Sequence, residues 1–310
     1  MLIIGFDGFS LPDSARRLID DPLVSGVILF RRNVESLAQV TALTAEIEAH
    51  RHGLLICIDQ EGGAVRRLRD GFIDVGPMRD IQDAAGAYQA GQVLGSGLRK
   101  LGINVNFAPV LDVDSNPLNP VIGSRSFSAD PKVVAELGVA LHLGLQSEGV
   151  ISCGKHFPGH GDTDLDSHLA LPILNIDRQR LEHLELIPFY AAVQAQFPMI
   201  MTAHISLPLL DPQWPATLSP RILHDILRVD MGYEGVIVSD DLEMAAVAAT
   251  YSPETMVTQG AAAGIDVFLM CHDTNKQQQA IHALHALPET RQQLSMNRID
   301  SLVSDFSTPT

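Results

Sequence analysis

Hydrophobic residues in this chain gather into eight short runs, at positions 2–6, 26–30, 54–58, 103–107, 150–154, 199–202, 235–239 and 265–270. Most are continuous rather than alternating, and they are rich in Ile, Val and Leu. Strands of a parallel sheet covered on both faces carry that pattern, because neither side meets water. Longer stretches with helical spacing separate them. One spans 34–50 behind Asn33 as a predicted N-cap. A second spans 131–148 after Asp130, with Pro131 at its first position. A third, 221–231, opens at Ser219-Pro220 and closes at Gly232. Eight strands alternating with helices predict an α/β fold, a single (β/α)8 TIM-like barrel, with residues 1–310 as one domain. There is no internal repeat, low-complexity tract or interdomain linker, and residues 116–120 form a Pro- and Asn-rich turn inside the fourth βα unit.

A barrel of this kind collects its functional groups at the C-terminal ends of its strands. The residues that follow the eight runs are polar in a distinctive way. They are Asp7, Arg31 with Arg32, Asp59-Gln60-Glu61, Asp112 with Asp114, Lys155-His156, His204, Asp240-Asp241 and His272. Strand starts are mostly Gly, Leu or Val. Solvent alone could have been met by Ser, Asn or Lys, so the bias toward carboxylates and imidazoles points to chemistry.

Composition narrows the class. The 310 residues are 46% hydrophobic and 19% charged, an ordinary globular balance. A formal net charge of −16 argues against nucleic acid and anionic membranes as partners. No apolar run has transmembrane length, and the N-terminus lacks the basic segment and cleavage site of a signal peptide. Cys57, Cys153 and Cys271 are odd in number and sit in apolar runs, as buried reduced thiols do. Together these features point to a reducing compartment and a cytoplasmic protein; a monomer is expected, although composition does not fix the oligomeric state.

The densest chemistry lies in residues 155–168, which hold a Lys, three His and three Asp within fourteen positions. Residues 149–155 superficially fit a phosphate-binding loop, but His156 stands where Ser or Thr is needed and the intervening residues read as a strand. A metal site from His156, His160, Asp162, Asp166 and His168 is disfavoured by the permanent cation of Lys155 beside it. Carboxylates with one imidazole, surrounded by Arg and Lys, remain. Glycosidic cleavage needs a proton donor for the leaving oxygen and a carboxylate across the anomeric carbon. Asp240 can be that carboxylate, and His168 can donate if Asp166 charges and orients it.

These residues resemble the β-N-acetylglucosaminidases of glycoside hydrolase family three, in particular the single-domain bacterial enzymes of muropeptide recycling. The resemblance covers nearly the whole chain. It runs through Asp59-Gln60-Glu61-Gly62-Gly63, Gly123-Ser124-Arg125-Ser126-Phe127, the Lys-His loop, Met201-Thr202-Ala203-His204, Pro215-Ala216-Thr217-Leu218-Ser219 and Ser239-Asp240-Asp241-Leu242. It implies Asp240 as nucleophile, His168 as general acid/base and Asp166 as its partner. It implies Asp59, Arg67, Arg125, Lys155 and His156 as the sugar-binding set, with no metal or organic cofactor. The implied substrate is an N-acetylglucosamine-containing 1,6-anhydro-muropeptide or a related oligosaccharide such as a chitooligosaccharide.

The residues leave several points open. Many relatives carry Arg at Ala64 and Gln at Arg66, so the sugar ligand here is Arg66 or Arg67. Asp240 and Asp241 are adjacent, and only the resemblance selects the first; Asp241 is expected to cap the following helix. Glu61 is expected to orient Arg67 or Arg125, and His160 to order its loop. His204 is either pocket floor or a satisfied strand-end histidine. Trp214 and Tyr190 are expected in the core. Rival chemistries are attack by the substrate's own acetamido oxygen, phosphorolysis, a Lys155 Schiff base, and sugar binding without catalysis. Arg31, Arg32, Arg66, Arg67 and Arg69 are expected to form a basic rim that attracts muropeptide carboxylates.

Overall fold

The computed structural model describes residues 1–163 and 170–307. All eight apolar runs are strands: β1 (Leu2–Ile4), β2 (Val24–Leu29), β3 (Leu55–Ile58), β4 (Val105–Asn106), β5 (Ile151–Phe157), β6 (Met199–Thr202), β7 (Val236–Asp241) and β8 (Val267–Met270). Each pairs in parallel with its sequence neighbours, and β8 closes on β1 through Leu2 opposite Phe268 and Ile4 opposite Met270. The result is the expected closed eight-stranded (β/α)8 barrel. Strand residues are buried throughout, except the last two of β7. Burial on both faces explains why the runs are continuous: one face fills the barrel and the other meets helices.

Two strands run further than their apolar runs. β5 continues through Lys155 and His156 to Phe157, because Ala203 N bonds to Phe157 O (2.7 Å) and Leu111 N to Lys155 O (2.6 Å). β7 continues through Asp240 and Asp241. The polar residues at these ends are therefore held by sheet backbone rather than by loops.

Helix caps both follow and depart from expectation. Asp130 caps the helix Pro131–Ser147 by accepting from Lys132 N. The helix Leu37–His50 is capped by Ser36, not by Asn33. Asn33 is buried instead. Its amide donates to Phe6 O and Gly8 O (both 3.0 Å) and accepts from Phe30 N (2.9 Å), which ties the ends of β1 and β2 together. The third expected helix, Arg221–Asp230, is wound as a π-helix, with Met231 N bonded to Ile226 O five residues back.

At the opposite, N-terminal end of the barrel, fully buried Asp266 gathers Arg228 (2.6 Å), Arg298 (3.0 Å), Ser295 (3.0 Å) and Ile237 N (3.1 Å). It links the helix Glu289–Ser307 to β7 and β8. Asp266→Ala leaves buried guanidinium charge without its partner. It should cost about 3–5 kcal/mol in chemical denaturation while leaving turnover at low temperature close to wild type, because the site lies at the other end.

Candidate active site

Asp59 follows β3, and the next residues double back as a short antiparallel pair, Gln60–Gly62 with Val65–Arg66. Gly62 sits at φ +104°, where a Cβ would lie 2.5 Å from Gly76 O, so the turn admits only glycine. Buried Gln60 locks the turn. Its Oε1 accepts from Arg67 N (2.9 Å) and Leu68 N (3.0 Å), and its Nε2 donates to Leu68 O (3.1 Å). Asn106 at the end of β4 holds the Gln60 backbone from both sides, at 3.0 Å each. This returns Arg67 over Asp59, with Nη2 3.1 Å from Oδ2.

Lys155 reaches into the same place from β5. It is 2% exposed, with Nζ 2.8 Å from Asp59 and 2.6 Å from Glu61. Glu61 then takes Arg125 in a two-pronged pair, both contacts 2.8 Å. The charges alternate along the chain Arg67, Asp59, Lys155, Glu61, Arg125. Burial pushes both carboxyls up, but the cations outweigh it and hold Asp59 and Glu61 below the usual carboxylate range. Burial opposes the charge of Lys155 as well, and Asp59 with Glu61 raises its pKa nonetheless. A permanently charged lysine cannot form a Schiff base without first losing its proton, which disfavours the lyase alternative.

His156, next on β5, donates from Nδ1 to Asp112 Oδ2 (2.7 Å). Asp112 Oδ1 accepts from the backbone N–H of His160 (2.7 Å) and His156 (3.2 Å). Burial pushes Asp112 up, but His156 and His160 hold it below its ordinary value. His160 has its Nδ1 against Thr163 Oγ1 at 2.9 Å, the loop-ordering contact expected of it, and burial lowers its pKa to about 4. Asp166 and His168 lie outside the described residues.

Asp240 at the end of β7 faces a cleft with two adjoining lobes, of about 230 and 390 Å³. The smaller lobe is lined by Asp59, Glu61, Arg67, Arg125, Lys155, His156, His160 and Asp240. The larger shares Asp59, Arg67, Met201, Asp240 and Met244 and continues over Phe30, Phe107, Leu269, Cys271 and His272. Six expected site residues (Asp59, Arg67, Arg125, Lys155, His156 and Asp240) thus meet in one cleft at the C-terminal mouth of the barrel. Among the described residues no cationic side chain pairs with Asp240; its Oδ1 accepts from Asp241 N at 2.8 Å.

Geometry separates several alternatives. Arg66 pairs with Asp74, away from the cleft, while Arg67 lines both lobes. Asp241 lines only the larger lobe and does not cap a helix. It accepts from Glu243 N (3.1 Å), lies 3.4 Å from His272 Nε2, and the next helix is capped at Met244. His204 is a satisfied strand-end histidine, with Nδ1 2.8 Å from Thr217 Oγ1 and Nε2 2.9 Å from Asp241 O. Trp214 and Tyr190 pack against the core, Trp214 also against Tyr251. The basic rim is largely neutralised. Arg32 turns inward to Asp7 and Phe6 O, Arg66 goes to Asp74 and Arg67 to Asp59. Phe30 lies beneath both Arg32 and Arg67, with their guanidinium carbons 4.5 and 5.6 Å from its centroid.

The site also uses residues to which the sequence assigned no role. Gln60 and Asn106 shape the Arg67 turn, Asp112 holds His156, and Phe30 supports Arg67. Asp112 stood among the strand-end carboxylates, so its position was visible although its role was not.

The glycosyl hydrolase family 3 N-terminal domain model matches residues 5–305. A β-hexosaminidase of Nitrosomonas eutropha is 42% identical over 293 residues, covering 91% of this chain and 84% of that protein. The β-hexosaminidase of Pseudomonas aeruginosa strain UCBPP-PA14 is 39% identical over 293 residues, covering 93% and 87%. Among solved structures, a family 3 β-N-acetylglucosaminidase from Paenibacillus sp. str. FPU-7 superimposes with a TM-score of 0.95 at 42% identity. It covers all of this chain, which spans 62% of that one. NagZ from Neisseria gonorrhoeae, solved with N-trifluoroacetyl-D-glucosamine, gives a TM-score of 0.88 at 34% identity, covering 100% of this chain and 93% of its own. The barrel, the cleft at its C-terminal mouth and these matches along almost the full length agree: the chain belongs to glycosyl hydrolase family 3.

Proposed function

We propose that this protein is a retaining β-N-acetylglucosaminidase that releases terminal β-linked N-acetylglucosamine, with residues 1–310 acting as one catalytic unit. One observation carries the reading: Asp240 opens into the same small lobe as Asp59, Lys155, Arg125 and His156. In the first step an Asp240 oxygen bonds to the anomeric carbon as the bond to the leaving oxygen breaks, and His168, held by Asp166, gives that oxygen its proton. In the second, His168 takes a proton from water, the water oxygen bonds to the anomeric carbon, and Asp240 leaves as carboxylate. Asp59 keeps lone pairs beyond those given to Lys155 and Arg67, so it can accept from sugar hydroxyls, while Arg67, Arg125, Lys155 and His156 donate. The larger lobe, with Phe30, Phe107, Met201 and Leu269 beside Asp240, offers apolar room for the methyl of a 2-acetamido group.

We place its natural substrates among the 1,6-anhydro-muropeptides of peptidoglycan recycling in the cytoplasm. The β-hexosaminidase relatives support a hexosaminide substrate, and three unpaired, buried cysteines suit a reducing compartment. The test compares 4-nitrophenyl N-acetyl-β-glucosaminide with the matching β-glucoside. The acetamido sugar should be preferred on the order of 10²-fold or more in kcat/KM. Equal turnover of the two would refute the reading, and a sugar 1-phosphate appearing only with added phosphate would reassign the chain as a phosphorylase.

A further inference from the structure

Asn119 lies in the turn between β4 and the helix Pro131–Ser147, is 8% exposed, and uses both ends of its amide. On one side Nδ2 donates to His160 O (2.9 Å), Gly161 O (3.0 Å) and Thr163 Oγ1 (3.1 Å). On the other, Oδ1 accepts from Val121 N and Ile122 N, both at 2.8 Å. Ile122 opens the short 3₁₀ turn Gly123–Arg125 that presents Arg125 to Glu61. The donor face thus grips residues 160–163, the stem that leads into the segment bearing His168, and the acceptor face fixes the turn that bears Arg125. Gly161 shows how closely the stem is seated: a Cβ there would lie 1.7 Å from Val113 O. Few side chains can replace Asn in this place. Asp has the same shape but no donors, and Ala has neither face.

We propose that Asn119 is a positioning residue for acid catalysis, setting residues 160–163, which lead in sequence to His168, against the turn that carries Arg125. The inference rests on the reading of His168 as the acid/base. General acid help matters most for poor leaving groups, so the test measures kcat/KM on phenyl and 2,4-dinitrophenyl N-acetyl-β-glucosaminides. His168→Ala should fall by about 10²–10⁴-fold on the phenyl substrate and only a few-fold on the dinitrophenyl one. Asn119→Asp, which keeps the acceptor face, should show the same selectivity at about 10–10²-fold on the phenyl substrate, with KM nearly unchanged. Asn119→Ala should add a rise in KM on both substrates as the Arg125 turn loosens. If Asn119→Ala does not fold, Asn119→Asp decides alone, with its thermal midpoint recorded. Equal losses on both substrates, or none, beside a selective His168→Ala response would overturn the role of Asn119. A flat His168→Ala response would overturn that role together with the acid/base reading.

Discussion

Replacing Asp240 by alanine should lower kcat/KM for aryl N-acetyl-β-glucosaminides by about 10⁴-fold or more, with little change in the thermal midpoint. The size of the effect follows from the site. Asp59 and Glu61 are each committed to cations, whereas Asp240 makes no ion pair among the described residues and faces both lobes. Among the described residues no neighbouring carboxylate is placed to take over, since Glu243 in the larger lobe accepts from His272 N and Asp273 N. Asp241 is turned to Glu243 N and His272 and is absent from the smaller lobe. Half-buried at a strand end, Asp240 contributes little to packing, so the fold should survive its loss. Added azide should partly restore turnover by entering the vacated face and giving an α-glycosyl azide. A variant that keeps more than about a tenth of wild-type activity would mean that another group attacks, because loss of a covalent nucleophile is far more damaging than that.

Lys155→Met should damage stability as well as turnover. Its ammonium is the hinge of the buried charge chain, and removing it leaves Asp59 and Glu61, among the described residues, with only Arg67 and Arg125 as cationic partners. Breaking a buried pair by removing one member costs about 3–5 kcal/mol, measured by urea denaturation at neutral pH. The pH dependence has a defined sign. In the wild type, both carboxyls titrate below their unfolded values, so the stability they contribute is present above the unfolded range, near 4. It is lost as pH falls through the lower folded values. Raised in the fold, Lys155 contributes stability that is fully present below its unfolded value, about 10.4, and is lost as pH rises through the folded one. In the variant the stranded carboxyls bind protons more readily, so the stability gap to wild type should narrow between neutral pH and pH values near 4. A gap of the same size across that window would show that the charge chain is not what the lysine holds. If Lys155 donates to the sugar as proposed, turnover should fall by about 10²-fold or more, since that charge-assisted donor would be lost along with the orientation of Asp59.

Much of the barrel was legible because each strand is buried on both faces and so had to be apolar without interruption. The boundaries slipped where chemistry sits on a strand. Lys155, His156, Asp240 and Asp241 end an apolar run without ending the backbone pairing. Asn33 looked like a helix cap from its place before a periodic stretch, yet its amide is drawn inward by Phe6 O and Gly8 O. Nothing local to Asn33 signals carbonyls some twenty-five residues upstream. The same limit hid Asp112, Gln60 and Asn119. Their partners lie 44, 46 and 41 positions away in the contacts with His156, Asn106 and His160, so their roles depend on which strands become neighbours. The residues that face the cleft were easier to find, because ionisable side chains clustered after apolar runs stand out in sequence. The partners that hold them are ordinary buried amides and carboxyls. The choice between Arg66 and Arg67 needed the hairpin itself, where Gln60 fixes the backbone of Arg67 and leaves Arg66 to Asp74.

The most direct test of Asp240 as a covalent nucleophile is trapping with a slow fluorinated N-acetylglucosaminyl donor, followed by mass analysis of the digested protein. A single glycosyl adduct on the peptide carrying Asp240, absent from Asp240→Ala, is the predicted result. No adduct, together with strong inhibition by a thiazoline mimic of acetamido attack, would contradict the account and give the nucleophile's part to the substrate itself.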